Sequence, residues 1–376
     1  MQIRPFAVEQ WMNDYETRCE WNLAETCCES VTIAALLDLA GHSPDQLRDE
    51  LLDMHLTYGD IVGSDRLRAA VAALFVQQRS DNVLITHGAI GANHLTHLAL
   101  VDPGDRVVAA VPNYQQHISI PASIGADVRQ LRLRPEQAYL PDLDELAALV
   151  GDDCKLVAIT NPNNPTGALI EQPMLEEIVA ICRSADAWLL CDEVYRGIDQ
   201  HGSGTTASVA DLYERGISTG SMSKAFSMAG VRLGWVVAPD EVTEAVMHQR
   251  DYSTISVSMV DDHLASIALE HADAILERNR TLVRANNATV DDWLAEQADL
   301  SWVRPTGGTT GLLHYPHDVP SRELCIDLLG TTGVLLTPGS ALDTEGTLRL
   351  GYANHPDILA NGLDRLGAFV TSLQRS

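Results

Sequence analysis

Lysine is nearly missing from this chain: two of 376 residues, Lys155 and Lys224, against 23 arginines. Positive charge as a whole is scarce, with 25 Lys and Arg facing 52 Asp and Glu and a formal charge of −27. That balance excludes the basic stripe that nucleic acid or an anionic membrane surface requires. Long apolar runs are missing too, and nothing approaches the roughly 20 residues that span a bilayer. Met1 to Trp11 holds Arg4 and Glu9 without an apolar signal-peptide core, so the expected location is the cytoplasm. Paired cysteines are absent: the seven are odd in number and lack CxxC spacing. Cys27 and Cys28 are adjacent, while Cys154, Cys182, Cys191 and Cys325 lie in apolar stretches, which reads as reduced core thiols rather than disulfides or zinc. What is present is an apolar fraction of 45%, enough for a large core in two domains or one domain with an appendage.

Short apolar runs at Val83–Thr86, Val107–Val111, Leu156–Thr160, Trp188–Cys191, Ile217–Ser218 and Leu233–Ala238 read as buried strands. Residues 90–101, 114–125, 171–185 and 239–250 read as the segments that cross between them, an α/β pattern with a mostly parallel sheet. A long helical stretch, 259–296, is expected to bridge to a smaller α+β portion. That portion has strands at Gly311–Tyr315, Val334–Leu336 and Thr347–Leu350 and helices at 321–330 and 356–373.

Because arginine supplies nearly every solvated cation here, Lys224 needs a reason that arginine cannot meet. Arginine stays protonated, whereas a lysine whose pKa is pulled down by burial and neighbouring cations can form an imine. Lys224 stands in Ser221-Met222-Ser223-Lys224 with Arg232 eight residues on, an amine beside phosphate donors, as pyridoxal 5′-phosphate requires. Lys155 reads as a strand-edge charge. His87-Gly88-Ala89-Ile90 opens a helix after a strand and is either a phosphate site or a packing turn. Asp192 ends a buried strand, with Tyr195 three residues on. It is either the partner of a protonated pyridine nitrogen or a helix N-cap, with Tyr195 as core. Asn161 to Gly167 form a rigid turn whose amides suit a cofactor hydroxyl and a carboxylate. His94 and His97 share a helix face but lack the carboxylate or cysteine partners of a metal site, and no metal is expected.

Asn163-Asn164-Pro165-Thr166-Gly167, Asp192-Glu193-Val194-Tyr195, Ser221-Met222-Ser223-Lys224 with Arg232-Leu233-Gly234-Trp235, and Thr347-Leu348-Arg349-Leu350-Gly351-Tyr352 follow one another in the order seen in class I/II aminotransferases. From about Tyr58 to the C-terminus the chain resembles this family of fold-type-I pyridoxal phosphate enzymes. The resemblance implies an α/β fold: a large domain with a mostly parallel seven-stranded sheet over 41–280, a smaller α+β domain over 281–376, and an N-terminal arm, 1–40, that joins the small domain. It implies Lys224 as the imine lysine and Asp192 as the pyridine partner, with Tyr195 and Asn164 at the ring hydroxyl. Gly88, Ala89, Ile90, Ser221, Ser223 and Arg232 would form the phosphate cup, and Tyr114 would stack on the ring. Arg349, with Asn164, would hold the substrate α-carboxylate. Tyr58 would reach the phosphate of a partner subunit, which implies a homodimer with shared active sites, and the substrate would be an amino acid, a small molecule.

Thr309 and Thr310 stand where many relatives carry an aromatic, so a more polar pocket is expected. Glu25, Cys28 and Glu29 fall in the segment that often lines the substrate side, where the acids either meet a cationic side chain such as an arginine derivative or are merely solvated. Transamination is the expected reaction. Arg250 to Ser258 and Glu270-His271-Ala272-Asp273 also resemble stretches of the capreomycidine synthases, which imply elimination of water from a hydroxyarginine and cyclisation. A third class, a ligand sensor on this fold, would carry a basic DNA-binding portion that the acidic composition argues against.

Overall fold

The computed structural model describes residues 2–316 and 318–373. Seven strands form the central sheet: Val83–Thr86, Arg106–Val111, Asp127–Arg132, Cys154–Thr160, Trp188–Asp192, Gly216–Ser221 and Gly234–Val237. Their spatial order is 83–86, 234–237, 216–221, 188–192, 154–160, 106–111, 127–132. All pairings are parallel except those of 234–237, which runs antiparallel to both neighbours. Consecutive residues enter different cores: Val107, Leu156 and Leu190 one, and Val108, Val157 and Leu189 another. A sheet apolar on both faces explains why these strands read as continuous hydrophobic runs.

Strand 127–132 carries only two apolar residues, and its pattern is mostly exposed, so no run announced it. It lies at the sheet edge and is held by its pairing with 106–111. Strand 216–221 outran its apolar pair because Ser218 and Thr219 are buried with partners, the Ser218 hydroxyl donating to Glu193 Oε2 at 2.8 Å. The expected single helix over 259–296 is two helices, Met259–Glu270 and Ala272–Leu294, separated at His271. No glycine or proline marks that break.

In the C-terminal part, Thr310–His314 pairs antiparallel with Thr347–Gly351, and Thr337–Pro338 and Ser301–Trp302 flank them. The N-terminus is stitched to this sheet region. Trp21–Asn22 pairs with Val334–Leu335, the Trp11 indole donates to the Leu336 carbonyl at 2.9 Å, and Gly351 N–H donates to the Leu23 carbonyl at 2.7 Å. A Cβ at Gly351 would fall 1.8 Å from the Glu25 carbonyl oxygen, so only glycine lets segment 23–29 lie this close. That segment thereby roofs the carboxyl ends of the central strands. No helix among the described residues is long and apolar enough to cross a membrane.

Candidate active site

Loops at the carboxyl ends of the strands enclose a cavity of about 310 Å³, which is where α/β sheets collect ligands. Asp192 forms part of its floor. Its Oδ2 accepts from Asn93 Nδ2 at 2.7 Å and its Oδ1 from the Val194 amide at 3.2 Å. Asn93 is itself fixed by the Thr219 hydroxyl at 2.7 Å. Behind them lie two buried imidazoles, His97 Nε2 being 3.2 Å from His117 Nδ1. His117 Nε2 stands 3.9 Å from Asp192 Oδ2. No helix begins at Asp192, so the N-cap alternative is set aside.

An anion cradle forms the second wall. Helix Gly88–Leu100 points its N-terminus at the cavity, and the Ala89 and Ile90 amides stand within its first turn. Gly234 permits the approach, since a Cβ there would lie 2.4 Å from the Gly88 carbonyl carbon and 2.6 Å from the Ala89 nitrogen. Ser221, Ser223 and Arg232 face the same space, Arg232 Nη1 donating to the Ser223 hydroxyl at 3.4 Å.

Lys224 projects between floor and roof. Its Nζ donates to the Thr26 hydroxyl at 2.6 Å and to Cys27 Sγ at 3.3 Å. The sequence pattern leads one to expect neighbouring cations and a depressed pKa. The structure corrects this: burial does act to lower it, but Cys27, Tyr195 and Glu25 outweigh burial and hold the ammonium above the ordinary lysine range. Burial pushes the Cys27 thiol up to about 11. Glu25 shapes the roof by accepting the Thr26 and Cys27 amides at 2.7 and 2.8 Å. Burial opposes its ionisation, and the Lys224 charge with these bonds brings it below the usual carboxylate range.

Arg349 sits mid-strand opposite Leu312 and Thr337 and is buried. Its guanidinium donates to Asn164 Oδ1 at 3.2 Å, to the Ala24 carbonyl at 3.1 Å and to the Thr337 hydroxyl at 3.1 Å, while Nε has no partner. Asn164 is set by its turn, in which Gly167 at φ +69° passes 2.4 Å, measured from an added Cβ, from the Thr310 carbonyl. The Tyr114 ring lines the cavity, and its hydroxyl donates to Glu9 Oε1 at 2.6 Å.

Some sequence-predicted residues lie elsewhere. The Thr309 side chain is fully buried and spends its hydroxyl on the Thr26 carbonyl at 2.7 Å, bracing the roof rather than making the pocket polar. Cys28 is buried behind the lining, and Glu29 turns away to Arg278 at 3.6 Å. Tyr58 is 69% exposed and outside the cavity of its own chain. Conversely, Glu9, Glu16 and Asn93 line the cavity unannounced, while Thr26 and Cys27 join it from the same segment as Glu25. Asn93, on the helix that follows the glycine turn, carried a local signal. Glu9 and Glu16 carried none, because the docking of 1–22 onto the C-terminal part brings them here.

The lining fits pyridoxal phosphate. Tyr195 is buried in the cavity lining, and its Oη, close enough to Thr26 for that hydroxyl to weigh on its titration, has no hydrogen bond, as an expected partner of the ring hydroxyl would be. An amine, a buried carboxylate and an anion cradle with an arginine surround the same space. Comparison with known proteins agrees. Residues 38–363 match the family Aminotransferase class I and II. Capreomycidine synthase of Streptomyces vinaceus is 32% identical over 95% of this chain and 91% of its own. A PLP-dependent aminotransferase structure from Streptococcus suis superposes with a TM-score of 0.96 at 36% identity, covering 99% of both chains. The PLP-dependent cyclase OrfR superposes at 0.91 with 27% identity over 99% of this chain and 98% of that one. The chain belongs to the class I and II aminotransferases and is a pyridoxal phosphate enzyme.

Proposed function

We propose that this protein removes and returns a proton at Cα of an α-amino acid, transferring the amino group to a keto acid. The convergence of Lys224, Asp192 and Arg349 on one cavity carries this reading. Pyridoxal phosphate, when bound, supplies an aldehyde carbon and a ring that accepts the electron pair released at Cα. Asp192, fixed by Asn93 and Val194, holds a proton at the ring nitrogen. Tyr195 and Asn164 hold the ring hydroxyl, and Ser221, Ser223, Arg232 and the Ala89 and Ile90 amides hold the phosphate. Arg349 grips the α-carboxylate with the planar fork that a lysine lacks. Lys224 Nζ, which would be left as a neutral amine once the substrate amine displaces it from the cofactor aldehyde, takes the Cα proton and redelivers it, guided by Thr26.

A second reading is favoured by the likeness to capreomycidine synthase and to the cyclase OrfR: β-elimination of water from a hydroxylated arginine, followed by ring closure. Both reactions begin with the same proton removal. The two are separated by incubating holoenzyme with amino acids, with and without a keto acid, and analysing products. A new amino acid formed in step with keto-acid consumption supports transamination, and turnover without a keto acid supports elimination.

The working unit in this proposal is a homodimer. Leu56, Tyr58, Ile61, Tyr252 and Ile255 are exposed on two segments, with Arg250 bound to the Ile61 carbonyl and Thr57 meeting Met259. Tyr58 is then placed to serve the partner's phosphate. All seven cysteines are unpaired, which supports a reducing, cytoplasmic setting.

A further inference from the structure

Arg250 is a fully buried guanidinium that forms no ion pair among the described residues, and its Nε has no hydrogen-bond partner. Its donors go to carbonyls instead, Nη1 to Ile85 at 2.6 Å and Nη2 to Ile61. Burial works against the charge, the neighbouring Asp251 offsetting part of that. A cation buried without a counter-charge lowers stability, so its retention here needs a task that neutral side chains cannot perform.

The two carbonyls belong to different segments. Ile85 stands on the edge strand 83–86, whose other side pairs with 234–237, and both of its backbone groups face outward. Its N–H donates to the Val62 carbonyl at 3.0 Å, and its own carbonyl takes Arg250. Segment 61–63 is thus laid along the sheet edge by one backbone bond and by the Arg250 fork that joins Ile61 to Ile85. At the start of the same loop the Thr57 hydroxyl meets Met259 Sδ at 3.7 Å. Tyr58 stands exposed between these two anchors. The Arg250 carbonyl also accepts the Ser253 and Thr254 amides at 2.9 and 3.0 Å, closing the turn that exposes Tyr252. One residue therefore ties down both segments of the exposed surface assigned above to the dimer contact.

We propose that Arg250 is a positioning residue for the partner subunit's cofactor phosphate: its fork holds loop 57–63 against the sheet edge in the pose from which Tyr58 reaches that phosphate. The inference rests on the homodimer reading above and adds the residue that aims Tyr58. A lysine keeps the charge but not the planar pair of donors that bridges two carbonyls.

The test dialyses Arg250→Met and Arg250→Lys holoenzymes against graded pyridoxal phosphate and, separately, against pyridoxal, which lacks the phosphate. Both variants are expected to bind pyridoxal phosphate about tenfold to a hundredfold more weakly, Lys less so than Met, with pyridoxal affinity unchanged. Mixed dimers of Arg250→Met with Lys224→Ala then leave one Lys224, in the Arg250→Met subunit, whose site receives Tyr58 from the intact loop of its partner. Borohydride labelling of that Lys224 at graded pyridoxal phosphate should return to within about twofold of the unaltered enzyme. Labelling as weak as in the Arg250→Met homodimer, equal losses for pyridoxal and its phosphate, or unchanged affinity in both variants while Tyr58→Phe is weakened, overturns the role of Arg250 and leaves the homodimer reading intact. Unchanged affinity in Tyr58→Phe overturns the shared phosphate site and this inference with it. Should Arg250→Met fail to fold, Arg250→Lys carries the same comparisons.

Discussion

Replacing Asp192 by asparagine is the sharpest probe of the proposed chemistry, because shape is nearly preserved while the charge is lost. The carboxylate accepts from Asn93 Nδ2 at 2.7 Å and from the Val194 amide at 3.2 Å. An asparagine offers one acceptor oxygen, so one of these donors must face an NH2 group. Losing one buried charge-assisted bond costs about 1.5–3 kcal/mol, which falls on the folded protein and is read as a lowered Tm. The second effect falls on the rate. Removing the fixed charge opposite the ring nitrogen leaves its proton unsupported, and such electrostatic contributions are worth about 3 kcal/mol or more, or roughly 100-fold and upwards in kcat. Single-turnover absorbance with saturating amino acid measures the chemical step apart from binding. Asn93→Ala removes a hydrogen bond but keeps the charge, so its loss of rate should be much smaller. An Asp192→Asn enzyme within tenfold of the unaltered rate, or an Asn93→Ala enzyme as slow as Asp192→Asn, would refute the argument that the charge itself acts.

Lys224→Ala should fold, bind the cofactor only noncovalently and lose nearly all turnover; borohydride reduction of the unaltered enzyme followed by peptide mapping should find the label on Lys224, and a label on Lys155 would reject the assignment. Arg349→Lys keeps the charge but gives up the fork to Asn164, Ala24 and Thr337, so KM for the amino acid is expected to rise about tenfold or more with cofactor affinity unchanged, measured by steady-state kinetics and cofactor fluorescence. Gly234→Ala would press a methyl against the backbone of Gly88 and Ala89, so cofactor affinity in equilibrium dialysis should fall by roughly tenfold or more, and an unchanged affinity would dismiss the close approach as unimportant. Burial pushes the Asp199 carboxyl up to about 7 from an ordinary 3.8, and its Oδ1 has no partner. Since the folded pKa lies above the unfolded one, its contribution to stability is fully present below about 3.8 and is lost as pH rises through about 7; Asp199→Asn should flatten the fall in Tm across that window, and an identical slope in both proteins would contradict it.

Much of this molecule was legible in its residues because the signals are local. Leu189 and Cys191 beside Trp188 and Leu190 make a strand apolar on both faces, and such a run reads as a buried parallel strand wherever it lies. Lys224 stood out by the scarcity of lysine, and Asn164, Asp192, Ser223 and Arg232 by short motifs whose turns are set by neighbours in the chain. The strand 127–132 was illegible because an edge strand held by one partner needs no hydrophobic run of its own. The break at His271 likewise carries no mark in composition. The contacts of the cavity roof were decided in three dimensions. Thr26 meets Lys224 across 198 residues of chain, and Arg349 meets Ala24 across 325. Glu9 and Glu16 reach the cavity because Trp11 and Trp21–Asn22 dock on Leu336 and Val334–Leu335, while Glu29, one helical turn's length from Glu25 in sequence, leaves for Arg278. The residues proposed to hold the cofactor could therefore be read from motifs, since most are positioned by the residues beside them. The N-terminal wall of the cavity could not, since it is a surface made of segments that become neighbours only when the chain ends fold together.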